Sequence, residues 1–235
     1  MQLKDKTILI TGANRGIGRA LVEEALQRGV KQIYAGTRTP FTHPDKRVVP
    51  LQLDVTDEEQ IRKASMTIEW LDILINNAGV AFYDNLSERA MIERHLAVNL
   101  FGTYGLTQAF LPLLKRSRGT IVNNLSILAL APFPAIASYS ISKAAAFSLT
   151  QSLRALLVGE GVRVQAIMTG PVDTDMNRGL DIPKTPVDVA ARGIFDGVER
   201  EEEEIFPDAM SAMMAEGWRG SAVKAMERQN SAAVN

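Results

Sequence analysis

The chain of 235 residues has no cysteine, which removes disulfides and thiolate-bound metals from consideration. Its two histidines, His43 and His95, stand apart and form no ligand cluster, so no metal is expected. Charge of one sign is missing too. Basic and acidic residues number 26 and 27 and are interspersed, giving a net charge of −1, without the electrostatic footprint of a nucleic-acid or anionic-membrane partner. No apolar run approaches membrane-spanning length. The start, MQLKDKTILITG, is charged and runs straight into a strand, unlike a signal or transit peptide, so a soluble cytoplasmic protein is expected. No repeat, linker, low-complexity segment or composition break divides the chain, and residues 1–235 are expected to form one α/β domain with a sizeable core.

What is present is alternation. Short Ile-, Val- and Leu-rich runs at 6–11, 31–37, 48–54, 71–77, 119–126 and 162–169, with a weaker one at 203–207, predict strands. Helical patterns at 17–28, 57–69, 88–116, 138–158 and 187–199, and an amphipathic stretch near 208–228, fall between and after them. That order predicts a Rossmann-like, doubly wound, mainly parallel seven-stranded sheet with helices on both faces. The one charge block, VEREEEE (198–204), reads as a solvated helix end.

The first strand ends in TGANRGIG, which places Gly12, Gly16 and Gly18, with Asn14, Arg15 and Ile17, in the turn before the first helix. Glycines permit a tight turn and close backbone approach, and the helix directs free N–H groups and the positive end of its dipole at a diphosphate. The spacing, Gly-x3-Gly-x-Gly, departs from the common dinucleotide fingerprint, and a turn used only for packing is the bland alternative. At the end of the second strand, an acidic residue would select NAD and an arginine NADP. This chain has Thr37 and Arg38 there, no carboxylate, and Arg15 nearby, so NADP(H) is expected over NAD(H); two surface arginines are the alternative. Asp54, with its neighbour Val55, either meets the adenine or caps the helix beginning DEEQ.

Tyr139 and Lys143 stand one helical turn apart, and Ser126 lies thirteen residues before Tyr139, at the carboxyl end of a strand where open α/β sheets bind ligands. Taken with TGANRGIG, NNAG (76–79), Asn99 in AVNLFG and GPVDT (170–174), this set resembles the short-chain dehydrogenase/reductase family of the classical type, over residues 6 to about 200. The resemblance implies reversible hydride transfer between NADP(H) and a small carbonyl or alcohol substrate. Tyr139 is then the acid and base, Ser126 positions the substrate oxygen, Lys143 also meets the nicotinamide ribose, and Asn99 supports a water-mediated proton path. Asn77, Ala78 and Gly79, together with Pro171, Val172 and Thr174, become cofactor neighbours, although NNAG also has a purely structural reading. Bringing a phenol from about 10 to about 7 requires about 4 kcal/mol, expected from the Lys143 ammonium and an oxidised nicotinamide.

Singly, each residue has a plain alternative: Tyr139 and Lys143 as surface side chains, Ser126 as a turn cap, Asn99 satisfying a helix carbonyl. Their ordered combination favours an enzyme over a catalytically silent nucleotide sensor or scaffold of the same fold. Three departures stand out: Leu125 before Ser126, an early IEWLDILINN, and a carboxyl-terminal IFPDAMSAMMAEGWRG without the glycine-rich ending. A homodimer or homotetramer through the helices at 88–116 and 138–158 is expected. ILALAPFPAIA after Ser126, with Phe82, Tyr83, Met176 and Met210, predicts a pocket for an apolar aldehyde or ketone, and the segment after Asp175 is too short for a large lid.

Overall fold

The β-branched and leucine residues of TILIT leave no polar face, and β1 (Thr7–Thr11) is buried along its whole length. In the computed structural model, which describes residues 1–232, β1 sits inside a parallel sheet with β2 (Gln32–Thr37), β3 (Val48–Gln52), β4 (Ile73–Asn76), β5 (Thr120–Asn124), β6 (Arg163–Ile167) and β7 (Glu204–Ile205). The strand order is β3-β2-β1-β4-β5-β6-β7, with the direction of winding reversing between β1 and β4. Ile8 pairs with Ile33 on one side and Ile73 on the other, so the register at this switch point is set by three buried isoleucines.

Alternation along β1 feeds two cores. Ile8 and Ile10 face α1 (Gly16–Gln27) and α6 (Val187–Glu199), packing with Leu21, Val22, Ile194 and Phe195. Leu9 faces the other layer, where Leu74 and Ile121 meet Ile61 of α2 (Glu58–Thr67), Phe110 and Leu114 of α4 (Thr103–Ser117), and Leu153 and Leu157 of α5 (Ala137–Leu157). The expected doubly wound sheet is thus present, each of the seven expected strands having its counterpart.

Three differences from the sequence pattern have physical causes. The single helix expected at 88–116 is α3 (Arg89–Leu96) followed by a π-helical turn at Ala97–Gly102 and then α4. A π turn holds more residues than an α turn and re-aims a side chain; this one contains Asn99. The carboxyl-terminal stretch is two helices, α7 (Ala209–Arg219) and α8 (Ala222–Ala232), broken at Gly220 and Ser221. Finally, the acidic run is no solvated end. Glu204 is 4% exposed, and its carboxylate meets Lys224 at 2.9 Å, Arg154 at 2.8 Å and the Trp218 indole N–H at 3.0 Å. No helix among the described residues is long and apolar enough to cross a membrane, and none of their acidic and histidine side chains group as a metal site.

Candidate active site

The carboxyl ends of β1, β4, β5 and β6 gather the residues singled out above at one edge of the sheet. Gly12 and Gly16 have φ of +66° and +53°, a conformation that side chains rarely adopt. Gly18 is required for closeness instead: a Cβ there would lie 2.1 Å from the Gly12 carbonyl oxygen. Arg15 occupies the N-cap position of α1 but makes no side-chain capping bond, and the first turn holds no acidic residue, so the helix end faces outward with its N–H groups uncapped by this side chain. Arg15 and Arg38 are both exposed, and neither makes an ion pair among the described residues. Asn14 reaches Thr39 at 3.3 Å, and the Thr37 hydroxyl donates to the Thr39 carbonyl at 2.7 Å, closing the turn that carries Arg38. Ile17 packs partly buried against the α1 side of the core.

Asp54 does not cap the following helix. Asp57 does, accepting from the N–H groups of Glu59 and Gln60 at 3.0 Å, while Asp54 Oδ1 accepts from Thr56 N–H and hydroxyl at 2.9 and 2.8 Å. Val55 is buried against Gly102, where a Cβ would fall 2.7 Å from its Cγ2. Within NNAG, Asn76 is structural: its amide donates to Asn123 Oδ1 at 2.8 Å, and Asn123 in turn donates to Thr150 of α5 at 2.9 Å. Asn77 donates to the Thr11 carbonyl at 2.8 Å, and Ala78 N–H reaches the Thr11 hydroxyl at 2.9 Å, so this segment is stitched to β1. Gly79 sits between Asn99 and Lys143, its notional Cβ 3.2 Å from Asn99 Oδ1 and 3.7 Å from Lys143 Nζ.

Ser126, Tyr139 and Lys143 form one buried group. Ser126 neighbours the Tyr139 phenol and favours its ionisation, and Ser126 Oγ accepts from Leu128 N–H at 3.1 Å and donates to the Thr169 carbonyl at 3.3 Å. Lys143 Nζ donates to the Asn124 carbonyl at 2.7 Å and lies 5.6 Å from the Tyr139 ring centroid. Asn99 clamps Val80 from both sides, accepting from its N–H at 2.9 Å and donating to its carbonyl at 3.0 Å, and also donates to Ser142 Oγ at 2.9 Å.

The protonation states differ from the expectation drawn from sequence. Burial pushes the Tyr139 phenol up to about 12, with the neighbouring Ser126 side chain opposing only in part. Burial likewise pulls the Lys143 ammonium down to about 8. The expected lowering of Tyr139 by Lys143 is absent from the protein alone, because the ammonium bonds a carbonyl rather than the phenol and the dry surroundings penalise both charges.

Sequence reasoning passed over three neighbours. Fully buried His95 accepts from Phe82 N–H at 3.0 Å through Nε2, and its ring lies 6.3 Å from that of Tyr139. Phe82 is therefore wedged between His95 and Arg94, the latter 4.5 Å from its centroid, rather than free as a pocket wall. Asp84 accepts from Ser138 N–H at 3.1 Å and from its hydroxyl, tethering the first turn of α5 beside Tyr139. Asn124 donates to Asn77 Oδ1 at 2.8 Å, while its own amide oxygen is buried with no partner among the described residues. None of these has a signal in local spacing, since each partner is far away in sequence. The segment Gly170–Thr174 closes the edge: Asp173 N–H donates to the Thr185 carbonyl, and Thr185 N–H to the Pro171 carbonyl, each at 2.9 Å. Val172 is buried, and Thr174 Cγ2 is 3.2 Å from the notional Cβ of Gly16, so this segment meets the glycine turn. A cleft of about 430 Å³ between α1 and α6 also reaches Gly16 and Thr174 but contains none of Ser126, Tyr139 and Lys143.

The doubly wound sheet with a glycine turn at its first helix is the arrangement of a dinucleotide-binding α/β domain. The short chain dehydrogenase family matches residues 6–184, and the chain belongs to it. A short-chain dehydrogenase of Neurospora crassa, srdE, is 39% identical over 194 residues, covering 76% of this chain and 66% of that protein. The crystal structure of a short chain dehydrogenase from Burkholderia cenocepacia in complex with NADP is 35% identical, with a TM-score of 0.89 over 97% of this chain and 98% of that one. A short-chain dehydrogenase/reductase from Burkholderia phymatum in complex with NAD shares the fold, at 20% identity and a TM-score of 0.79 over 92% of this chain and 95% of that one.

Proposed function

We propose that the whole chain is one catalytic domain transferring hydride reversibly between NADP(H) and a carbonyl or alcohol, with an apolar aldehyde or ketone as the reduced substrate. The observation that carries this reading is the buried contact of Ser126 with Tyr139, with Lys143 beside them, at the same sheet edge as the glycine turn. The residues present fit a nicotinamide nucleotide. The glycine cradle excludes side chains where a diphosphate would lie, and the unpartnered Asn124 oxygen waits beside the Lys143 bond. Gly12, Asn14, Gly16, Ile17 and Gly18 would hold the diphosphate, Arg15, Thr37 and Arg38 the 2′-phosphate end, Asp54 and Val55 the adenine, and Asn77, Ala78, Gly79, Pro171, Val172 and Thr174 the nicotinamide side. The bound cofactor would supply the hydride.

The chain supplies the rest. Ser126 and Tyr139 present two hydroxyls to one substrate oxygen and so fix its position. Tyr139, held protonated by burial, gives its proton to that oxygen during reduction. The Lys143 ammonium, 5.6 Å from the Tyr139 ring centroid, steadies the phenolate left behind until solvent returns the proton, and Asn99 fixes Val80 and Ser142 around it. The exposed apolar side chains Tyr83, Phe133, Met176 and Ile182, on the loops that follow β4, β5 and β6, suit an apolar substrate. Tyr139→Phe removes only the hydroxyl. It is expected to leave NADPH binding intact and lower turnover by roughly 10²–10⁴ in a NADPH oxidation assay on a panel of aldehydes and ketones; full turnover by the variant would refute the assignment.

A further inference from the structure

The carboxyl-terminal helices are bound into their own subunit by charge. Lys224 of α8 is 1% exposed, and its ammonium lies 2.9 Å from Glu203, 2.9 Å from Glu204 and 2.8 Å from Glu227. Arg154 of α5 shares Glu204 and Glu227 and donates to the Glu203 carbonyl at 2.8 Å. The Trp218 ring of α7 packs 5.4 Å from that of Phe147. A buried charge set of this kind fixes geometry, because each group removed would leave another unpaired.

At the other end of α7, next to the site, one carboxylate makes two connections. Asp208 is 5% exposed. Its Oδ1 accepts from Ser211 N–H at 2.9 Å, which with the reciprocal Ser211 Oγ contact caps α7. Its Oδ2 accepts from Gly170 N–H at 2.8 Å. Gly170 opens the segment Gly170–Thr174, and a Cβ there would lie 2.6 Å from Asp208 Oδ1 and 3.2 Å from Met210 Cβ, so glycine is demanded by the approach of the carboxylate.

We propose that Asp208 is a positioning residue for the cofactor. It fixes the first residue of the segment whose middle is held by Thr185, and thereby sets the face that Pro171 and Val172 present to the nicotinamide. This rests on the reading of residues 170–174 given above. The α7–α8 pair, in place of a glycine-rich ending, thus serves the site from within the same subunit.

The test uses Asp208→Ser in the full chain. Serine keeps an N-cap acceptor for α7 but is too short to reach Gly170. NADPH titration, steady-state kinetics and amide hydrogen exchange are read on both proteins, with Gly170→Ala as a second variant that displaces the same contact from the other side. The expected result is an unchanged fold, lost exchange protection confined to 170–174, and NADPH affinity weakened about tenfold, the order of one charge-assisted hydrogen bond. KM for the carbonyl substrate should change less than kcat, and the double variant should lose no more than either single one. NADPH affinity and kcat unchanged in Asp208→Ser overturn the proposal while leaving the site reading intact. No NADPH binding by the unsubstituted chain overturns the site reading and this proposal with it.

Discussion

Lys143→Met offers a test of the site's energetics that needs no substrate. Lys143 is 5% exposed, and burial pulls it from 10.5 to about 8. At 1.36 kcal/mol for each pH unit, holding it charged in the folded state at neutral pH costs about 3 kcal/mol. Methionine fills similar volume without charge but leaves the Asn124 carbonyl without its 2.7 Å donor, a loss of roughly 1–2 kcal/mol. The variant should therefore be inactive yet more stable at pH 7 by about 1–2 kcal/mol, or roughly 2–8 °C in melting temperature. The difference has a pH signature. Below about 8 the ammonium is charged in both states and the folded chain carries the full penalty. From about 8 to 10.5 the folded chain releases its proton first, so the unsubstituted protein gains stability and the gap closes and then reverses. Tyr139, raised from 10.0 to about 12, acts oppositely in both proteins, and stability falls between those values because only the folded state keeps the proton. Urea unfolding of cofactor-free protein across pH 7 to 11 measures this. A variant less stable at pH 7, with a gap indifferent to pH between 8 and 10.5, would refute the view that burial of the charge dominates.

Arg38→Asp should reverse cofactor preference in binding titrations, because the exposed Arg15 and Arg38 have no carboxylate partner among the described residues and a carboxylate at position 38 would favour ribose hydroxyls; equal NADPH and NADH affinities in the unsubstituted protein would sink the assignment. The chain should be a dimer or tetramer at micromolar concentration by light scattering, since Phe101 and Tyr104 after α3 and Ile141 and Leu156 on α5 are 41–65% exposed apolar surface along the two long helical segments, and a strict monomer would contradict this.

The sheet and the glycine turn were legible in the sequence because both are local. Ile8, Leu9 and Ile10 declare a strand buried on two faces, and three glycines after a strand declare a close approach. Tyr139 and Lys143 were legible as a pair for the same reason, one helical turn being a fixed geometry. What escaped was long-range. The π turn around Asn99 follows no periodicity break in AVNLFG, and the Asp208 bond to Gly170 and the Lys224 charge set span 38 and 20 residues. The acidic run misled because composition sees only charge, whereas Glu204, on β7, is paired with a lysine of α8 and an arginine of α5.

The protonation of Tyr139 is the same lesson at the level of chemistry. Spacing puts an ammonium near a phenol, but whether it lowers the phenol depends on what else the ammonium touches. With Lys143 donating to the Asn124 carbonyl, the protein alone keeps Tyr139 protonated up to about 12. That is the state carbonyl reduction requires, a donor already carrying its proton. Alcohol oxidation requires the phenolate, and reaching it at neutral pH from about 12 takes roughly 7 kcal/mol. Only positive charge brought beside the ring, or Lys143 turning from the carbonyl towards the phenol, reduces that demand. In the protein alone, Tyr139 is thus in the donor form that the proposed reduction would use, and the reverse reaction would draw on charge brought in with the cofactor.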